Sequence, residues 1–269
     1  MQLNEFQQLV DSVLLPTAAM SGDPIGTQVG SRRGTATKIL VCFEVTDAVI
    51  TEAQQLNCDV IVTFHPLIYT PLKCISREDR VGRLVCALIE QDIALTCVHT
   101  AYDAHPQGTN AQLARMLELQ PVRPLAPVTG MPTFGMGVVA GAETDITIAD
   151  LLERVTRICG GTPRFIAPPT STIRTVALVA GSGGSLMDDA ISAGVDVFIT
   201  ADLKYHAYHA ADGTIGLIDP GHFEMEQFVA SGIIDLLQPS VGAAAELVAS
   251  RALRNPVQHY IEKHVSSIS

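Results

Sequence analysis

Four side chains of types that bind divalent metal ions lie just after apolar segments of this sequence. They are His65 in TFHP, Asp103 in HTAYD, and His222 and Glu226 in GHFEME. Two imidazoles and two carboxylates form a mixed ligand set suited to Zn, Mn or Fe, with coordination positions left for water. If residues 222–226 are helical, the i, i+4 spacing places His222 and Glu226 on one face, where both can bind the same ion.

Each of these residues also has a plainer interpretation. A single histidine after a strand is more often a structural residue than a ligand, because histidines are moderately buried on average. Taken alone, His222 and Glu226 are equally consistent with an exposed ion pair on a helix. Several such residues together favour the metal hypothesis more than any one of them does. No role is assigned to His105, His259 and His264, which we expect at the surface.

The elements that would position these residues alternate between strands and helices. Apolar runs predict strands at 38–45, 59–63 and 93–98, and helical recurrence predicts helices at 47–57, 80–91 and 108–119. A less regular stretch follows, with a strand at 135–140 and a helix at 148–159, and the first pattern returns from Thr175. This alternation indicates an α/β fold with a parallel-type sheet. We divide the chain into a first α/β half (1–120), a connecting segment (121–174) and a second α/β half (175–269).

The two halves match when one is laid over the other. At an offset of 137 the segment 59–63 falls on 196–200, and at an offset of 123 the segment 99–103 falls on 222–226, so that Asp103 corresponds to Glu226. Such internal similarity predicts a duplicated architecture. Because ligands bind at the carboxyl ends of strands in open α/β sheets, two halves that face each other would enclose the site.

Composition excludes several classes of protein. Of the 269 residues, 47% are hydrophobic and 17% charged, which excludes disorder and a disulfide-stapled miniprotein. The net charge of −11 makes nucleic acid an unlikely partner. No stretch approaches the about 20 apolar residues of a membrane-spanning helix, so no membrane partner is expected. The six cysteines form no C-x-x-C and the amino terminus resembles no signal peptide, so we expect reduced thiols and a cytoplasmic protein.

A glycine-rich segment, GSGGS at 181–185, joins a predicted strand to a helix. Backbone N–H groups at such a position favour an anion. The segment lacks the lysine of a P-loop and the third glycine of a dinucleotide fingerprint. A tight turn that needs glycine conformations is therefore the favoured interpretation, and a phosphate contact is the alternative.

In their order and spacing, these motifs resemble the Nif-three-like dinuclear metal centre proteins, also called GTP cyclohydrolase I type 2 homologues. The resemblance covers nearly the whole chain, from DPIGTQVG (23–30) through TFHP, HTAYD, GSGG and TADLKYH (200–206) to GHFEME. It implies a Nif-three-like fold, in which two similar α/β halves face each other around an intramolecular two-metal site. It also implies toroidal hexamers built from trimers.

Matched position by position, the resemblance implies four metal ligands: His65, Asp103, His222 and Glu226. Phe64 stands where the family has another histidine, and a phenyl ring has no lone pair to donate. The TGE segment of the family is altered to Thr200–Asp202, which keeps a shorter carboxylate. We therefore predict one well-held ion on His65, Asp103 and Glu226, and a weaker second position that depends on His222, Glu226 and water.

The leading functional hypothesis is a metal-dependent, hydrolase-like protein. One or two divalent ions would lower the pKa of bound water and polarise the substrate, with His99 or Asp202 transferring protons. The cyclohydrolase name suggests attack on a purine ring, for which the sequence carries no binding signature. Two alternatives stay open, a metal carrier or insertion protein and an oligomeric scaffold with structural metal. We expect a small-molecule substrate and a homo-oligomer, with the hexamer implied by resemblance alone.

Overall fold

The structure is a computed structural model that describes residues 1–258. His259, His264 and the rest of the predicted second half beyond residue 258 lie outside the described residues. The helices within the described range are α1 (Leu3–Leu14), α2 (Asp47–Gln55), α3 (Arg80–Gln91), α4 (His99–Asp103), α5 (Thr109–Met116), α6 (Ile148–Cys159), α7 (Met187–Ser192), α8 (Tyr205–Ala211), α9 (His222–Glu226) and α10 (Val229–Val241). The strands are β1 (Gly26–Val29), β2 (Lys38–Cys42), β3 (Val60–Thr63), β4 (Ala94–Cys97), β5 (Gln120–Val128), β6 (Met131–Ile146), β7 (Arg164–Ile166), β8 (Ile173–Leu178), β9 (Val197–Ile199), β10 (Gly216–Asp219) and β11 (Glu246–Ala249).

These strands form two mixed sheets. The first has the order β1-β4-β3-β2-β11, and among its described strands only β1 runs antiparallel to its neighbour. The second has the order β5-β6-β8-β9-β10-β7, with β8, β9 and β10 parallel and antiparallel strands on either side. The predicted α/β class with two similar halves is confirmed. Among residues 1–258, no helix has the length and apolarity needed to cross a lipid bilayer.

Helices cover both faces of each sheet, which explains why the central strands are continuous apolar runs. In the first sheet, Phe6 of α1 and Ile233 of α10 pack with Val62 on one face. On the other face, helices α2 and α3 pack against Ile61 and its neighbours. Helices α5 and α6 cover one face of the second sheet, and α7 and α8 contribute to the core on the other.

The internal repeat is visible in the strand register. Ile39 pairs with Val60 in the first sheet, and Val176 pairs with Val197 in the second, so both members are separated by 137 positions. Helices α4 and α9 are five residues long and begin 123 positions apart. The repeated unit therefore delivers the same sequence of strand ends and short helices to both halves.

The sheet boundaries differ from the predicted segment boundaries at 120 and 174. Most of the predicted connecting segment belongs to the second sheet as β5, β6 and β7, and β6 extends well beyond the predicted strand at 135–140. Strand β5 carries Pro121, Pro124 and Pro127, which an edge strand tolerates but which hide its strand pattern. At the other end of the described chain, β11 returns to pair with β2 of the first sheet.

Candidate metal centre

Polar side chains from both sheets meet where the parallel strands end. His65 follows β3, and His99 begins α4 directly after β4. Asp202 follows β9, His222 begins α9 just after β10, and Glu226 ends α9. Helix α9 of the second half thus places Glu226 against His65 of the first half. This is the crevice at strand carboxyl ends where α/β proteins bind ligands.

Three ligand atoms converge at the centre of this crevice. Glu226 Oε2 lies 2.9 Å from His222 Nε2 and 3.3 Å from His65 Nε2, and one ligand atom of each residue lies within 4.8 Å of the others. The Glu226 side chain is only 4% exposed, and neither of these contacts has the geometry of a hydrogen bond, so Oε2 has no hydrogen-bond partner. A buried carboxylate oxygen without a hydrogen bond is unfavourable, and a cation shared with two imidazole nitrogens would satisfy it. The residues present therefore fit a divalent metal ion.

Asp202 lies behind the imidazole of His222. Its Oδ2 is 2.7 Å from His222 Nδ1, which leaves Nε2 facing Glu226. A carboxylate on the far nitrogen of a histidine fixes the ring and its tautomer, as it does for many metal-binding histidines. The contact with Glu226 outweighs burial and, together with Asp202, raises the pKa of His222 to about 9. Asp202, predicted to transfer protons, is thus placed to orient His222.

His99 is held in a similar way by Asp23, a residue that the sequence analysis did not select. Asp23 Oδ1 lies 2.8 Å from His99 Nδ1, and its other oxygen accepts hydrogen bonds from the backbone and hydroxyl of Thr100. Burial opposes the charged imidazole, but the contact with Asp23 and the charges of Asp103 and Glu226 together outweigh it and raise the pKa of His99. The ring centres of His99 and His65 are 5.4 Å apart. His99 therefore lies beside the three converging ligands and not among them.

Asp103 is the predicted ligand that the structure leaves outside the converging group. Its side chain is buried and its Oδ1 has no hydrogen-bond partner. Burial, assisted by the charge of Glu226, raises the pKa of Asp103 to about 7. The structure thus groups His222 with His65 and Glu226, whereas the sequence assigned His222 to the weaker position. Phe64 is fully buried beside these residues and contributes no ligand atom.

Gly181 of the GSGGS turn touches the centre directly, which the sequence analysis also missed. Its φ is +66°, and a Cβ built on it would lie 2.3 Å from Glu226 Oε1 and 3.2 Å from His222 Cε1. Both the backbone conformation and the close approach require glycine here. Thr200, at the end of β9, holds the turn by donating from its hydroxyl to the Gly181 carbonyl at 3.0 Å. The favoured interpretation of GSGGS as a glycine-dependent turn agrees with this geometry.

One buried carboxylate links the two loops that carry Asp202 and His222. Asp219 Oδ1 accepts from the Gly221 backbone at 3.1 Å, directly before His222. Its Oδ2 accepts from the Leu203 backbone at 3.4 Å, directly after Asp202. Asp219 therefore sets the distance between the two loops.

The pattern of the Duf34/NIF3 (NGG1p interacting factor 3) family matches residues 1–256, almost the full described range. The chain belongs to the Duf34/NIF3 family. A "GTP cyclohydrolase 1 type 2 homolog" of Streptomyces coelicolor is 34% identical over 232 residues, which cover 84% of this chain and 81% of the relative. A protein of the same name from Clostridium perfringens is 26% identical and covers 96% of this chain and 99% of the relative.

Solved structures show the same fold. A Bacillus cereus protein related to NIF3 matches with a TM-score of 0.88 at 23% identity, covering 97% of this chain and 99% of that one. Reduced HcgD from Methanocaldococcus jannaschii matches with a TM-score of 0.76 at 23% identity, covering 93% and 97%. At this level of identity the likeness concerns the fold alone. The resemblance inferred from the motifs is confirmed by the family match.

Proposed function

We propose that this Duf34/NIF3 protein binds a divalent metal ion on His65, His222 and Glu226 and uses it in a hydrolytic reaction. The observation that carries the proposal is Glu226 Oε2, which is buried without a hydrogen bond and faces two imidazole nitrogens at 2.9 and 3.3 Å. Three protein ligands with a further position open to solvent are typical of catalytic metal sites, whereas structural sites are closed by four.

The chemistry divides between the ion and the chain. A bound ion would lower the pKa of a water molecule and polarise an electrophilic group of the substrate. Asp202 accepts a hydrogen bond from His222 Nδ1, so the proton stays on Nδ1 and the Nε2 lone pair is available to bind the ion. His99, oriented by Asp23, is the candidate for holding or moving a proton beside the ligands. Asp103, buried next to them, supplies a further carboxylate.

GTP is the first substrate to test, because the relatives carry the name GTP cyclohydrolase 1 type 2 homolog. The protein would be stripped with a chelator, reloaded with Zn²⁺, Mn²⁺ or Fe²⁺, and assayed for loss of GTP and release of formate or phosphate. Turnover that requires metal and disappears in Glu226→Gln supports the proposal. Glu224→Gln is the matched control, because it removes a carboxylate from the same helix that bonds Asn255 and takes no part in the metal group.

A metal carrier is the second candidate, and Phe64 is the observation that favours it. A fully buried phenyl ring occupies the position before His65, so this segment offers one imidazole. A site with few protein ligands exchanges its ion readily. Metal that is bound without turnover of GTP, and that passes rapidly to a metal-free acceptor protein, would favour the carrier over the hydrolase. Failure to bind metal at all would exclude both.

A further inference from the structure

A second concave site lies next to the metal centre, and Asp103 is one of the residues that line it. It is a cavity of about 260 Å³ between the end of α4, helix α5 and the β5–β6 hairpin. Small-molecule pockets usually enclose about 300–1,000 Å³, so this cavity suits a small ligand or one group of a larger one. Its polar lining includes Arg115, Arg123 and His105, together with the carboxylate residue Asp103 at the end nearest the metal centre.

The two arginines differ from most others in the described chain. Nine arginines contact a carboxylate within 4.0 Å: Arg32, Arg33, Arg77, Arg80, Arg83, Arg154, Arg157, Arg164 and Arg174. Arg115 and Arg123 have no such contact with any described residue, although the chain carries a net charge of −11. Within the described residues, the guanidinium groups of Arg115 and Arg123 make one hydrogen bond, in which Arg123 donates to the Pro124 carbonyl at 3.1 Å. Both arginines line the cavity and are exposed, so their guanidinium donors are accessible to a ligand.

His105 adds a third donor. The backbone N–H of Gln107 donates to His105 Nδ1 at 3.1 Å, so the proton of the neutral imidazole lies on Nε2. The sequence analysis expected His105 at the surface, but the residue is half-buried and packs edge-on against Phe134 at 5.3 Å. The polar loop DAHPQG gave no sign that the β5–β6 hairpin would cover it.

The cavity is rigidly connected to the metal centre. Asn110 lines it, and the Asn110 side chain donates to the Asp103 carbonyl at 3.0 Å and accepts from the Ala180 backbone at 2.8 Å. Ala180 precedes Gly181, which touches Glu226. Asn110 is itself buried, and its side-chain amide makes these two hydrogen bonds. The walls of the cavity are therefore fixed by the same segments that fix the metal ligands.

We propose that this cavity is a phosphate-binding site, with Arg115 and Arg123 as the charged donors and His105 as a neutral donor. Guanidinium groups bind phosphate through paired charge-assisted hydrogen bonds, and the geometry suits Arg better than Lys. The phosphate comes either from free inorganic phosphate or from a nucleotide that reaches the cavity with its phosphate end. Binding does not require the metal centre to be loaded, so the proposal stands apart from the proposed function.

The test is calorimetric titration of the full chain, freed of metal by a chelator, with inorganic phosphate, GTP and guanosine. We expect phosphate and GTP to bind and guanosine not to bind. The double variant Arg115→Gln/Arg123→Gln should bind at least ten-fold more weakly than the parent. The control Arg157→Gln, which removes an arginine of α6 that pairs with Glu118, should bind like the parent. If GTP binds and free phosphate displaces it, the natural ligand of the cavity is a nucleotide. If phosphate binds and GTP does not, the ligand is the free ion.

Two results would overturn the assignment. One is the absence of phosphate and GTP binding in the parent protein, and the other is binding that the double variant leaves unchanged. His65→Ala provides a further check, because it removes an imidazole that could bind an anion at the metal-free centre and that does not line the cavity. Loss of phosphate binding in that variant would place the anion at the metal centre instead. Circular dichroism of each variant separates loss of binding from loss of folding.

Discussion

Replacing Gly181 by alanine should damage the metal centre by displacing Glu226. The φ of +66° alone costs an L-residue about 1–2 kcal/mol in the left-handed region. The added Cβ would also lie 2.3 Å from Glu226 Oε1, closer than carbon and oxygen can approach, so the carboxylate or the turn must move. Displaced supports of metal ligands cost about 10–100-fold in metal affinity, or about 1.4–2.7 kcal/mol.

Gly194→Ala separates the two contributions. Its φ is +68°, and a Cβ there would meet no atom within 4 Å. Both variants should therefore lose stability in urea unfolding of the metal-free protein, Gly181→Ala at least as much as Gly194→Ala because of its additional contact with Glu226. Only Gly181→Ala should lose Zn²⁺ affinity in a competition titration against a chromophoric chelator. Equal Zn²⁺ affinities for the two variants would refute the claim that Gly181 contacts the metal ligands.

Three further predictions follow from the same structure. Asp202→Asn should weaken Zn²⁺ binding about 10–100-fold in the chelator competition while leaving urea unfolding nearly unchanged, since the Asp202 side chain is 52% exposed; unchanged affinity would argue against its orienting role. Phe64→His should raise bound metal from about one towards two ions per chain by elemental analysis, and should destabilise the metal-free protein by about 1–3 kcal/mol through a buried imidazole without partners. Burial opposes ionisation of Asp59, but hydrogen bonds from Thr37, Arg33 and the Lys38 backbone together outweigh it and lower its pKa. The stability from Asp59 is therefore complete above its unfolded pKa of about 4 and is lost as the pH falls, so Asp59→Asn should flatten the decline of the urea midpoint from pH 5 to pH 3; parallel declines would contradict this.

Local patterns predicted the elements that repeat between the halves. The apolar runs ending at Thr63 and Thr200 become β3 and β9, and the match of HTAYD with HFEME becomes the paired helices α4 and α9. These features depend on residues close together in the chain, so periodicity and spacing reveal them. The prolines of β5 concealed an edge strand, and nothing in the sequence of β11 indicated that it returns to β2.

The supports of the site could not be predicted in the same way. Asp23 reaches His99 across 76 positions, and Gly181 meets Glu226 only because two loops from different strands approach each other. Such contacts join segments of one half that are far apart in the chain, so they leave no local pattern. Asp23 and Gly181 do fall in motifs that carry the family resemblance, DPIGTQVG and GSGG, which was the one available signal.

Elemental analysis of the gently purified and Zn²⁺-reconstituted chain tests the central claim most directly. The arrangement of His65, His222 and Glu226 predicts about one ion per chain in the parent. The ion should be lost in His65→Ala and retained in His209→Ala, which removes an exposed imidazole on α8. Parent protein that holds no metal after reconstitution, or His65→Ala protein that holds as much as the parent, would contradict the assignment of a metal centre to these residues.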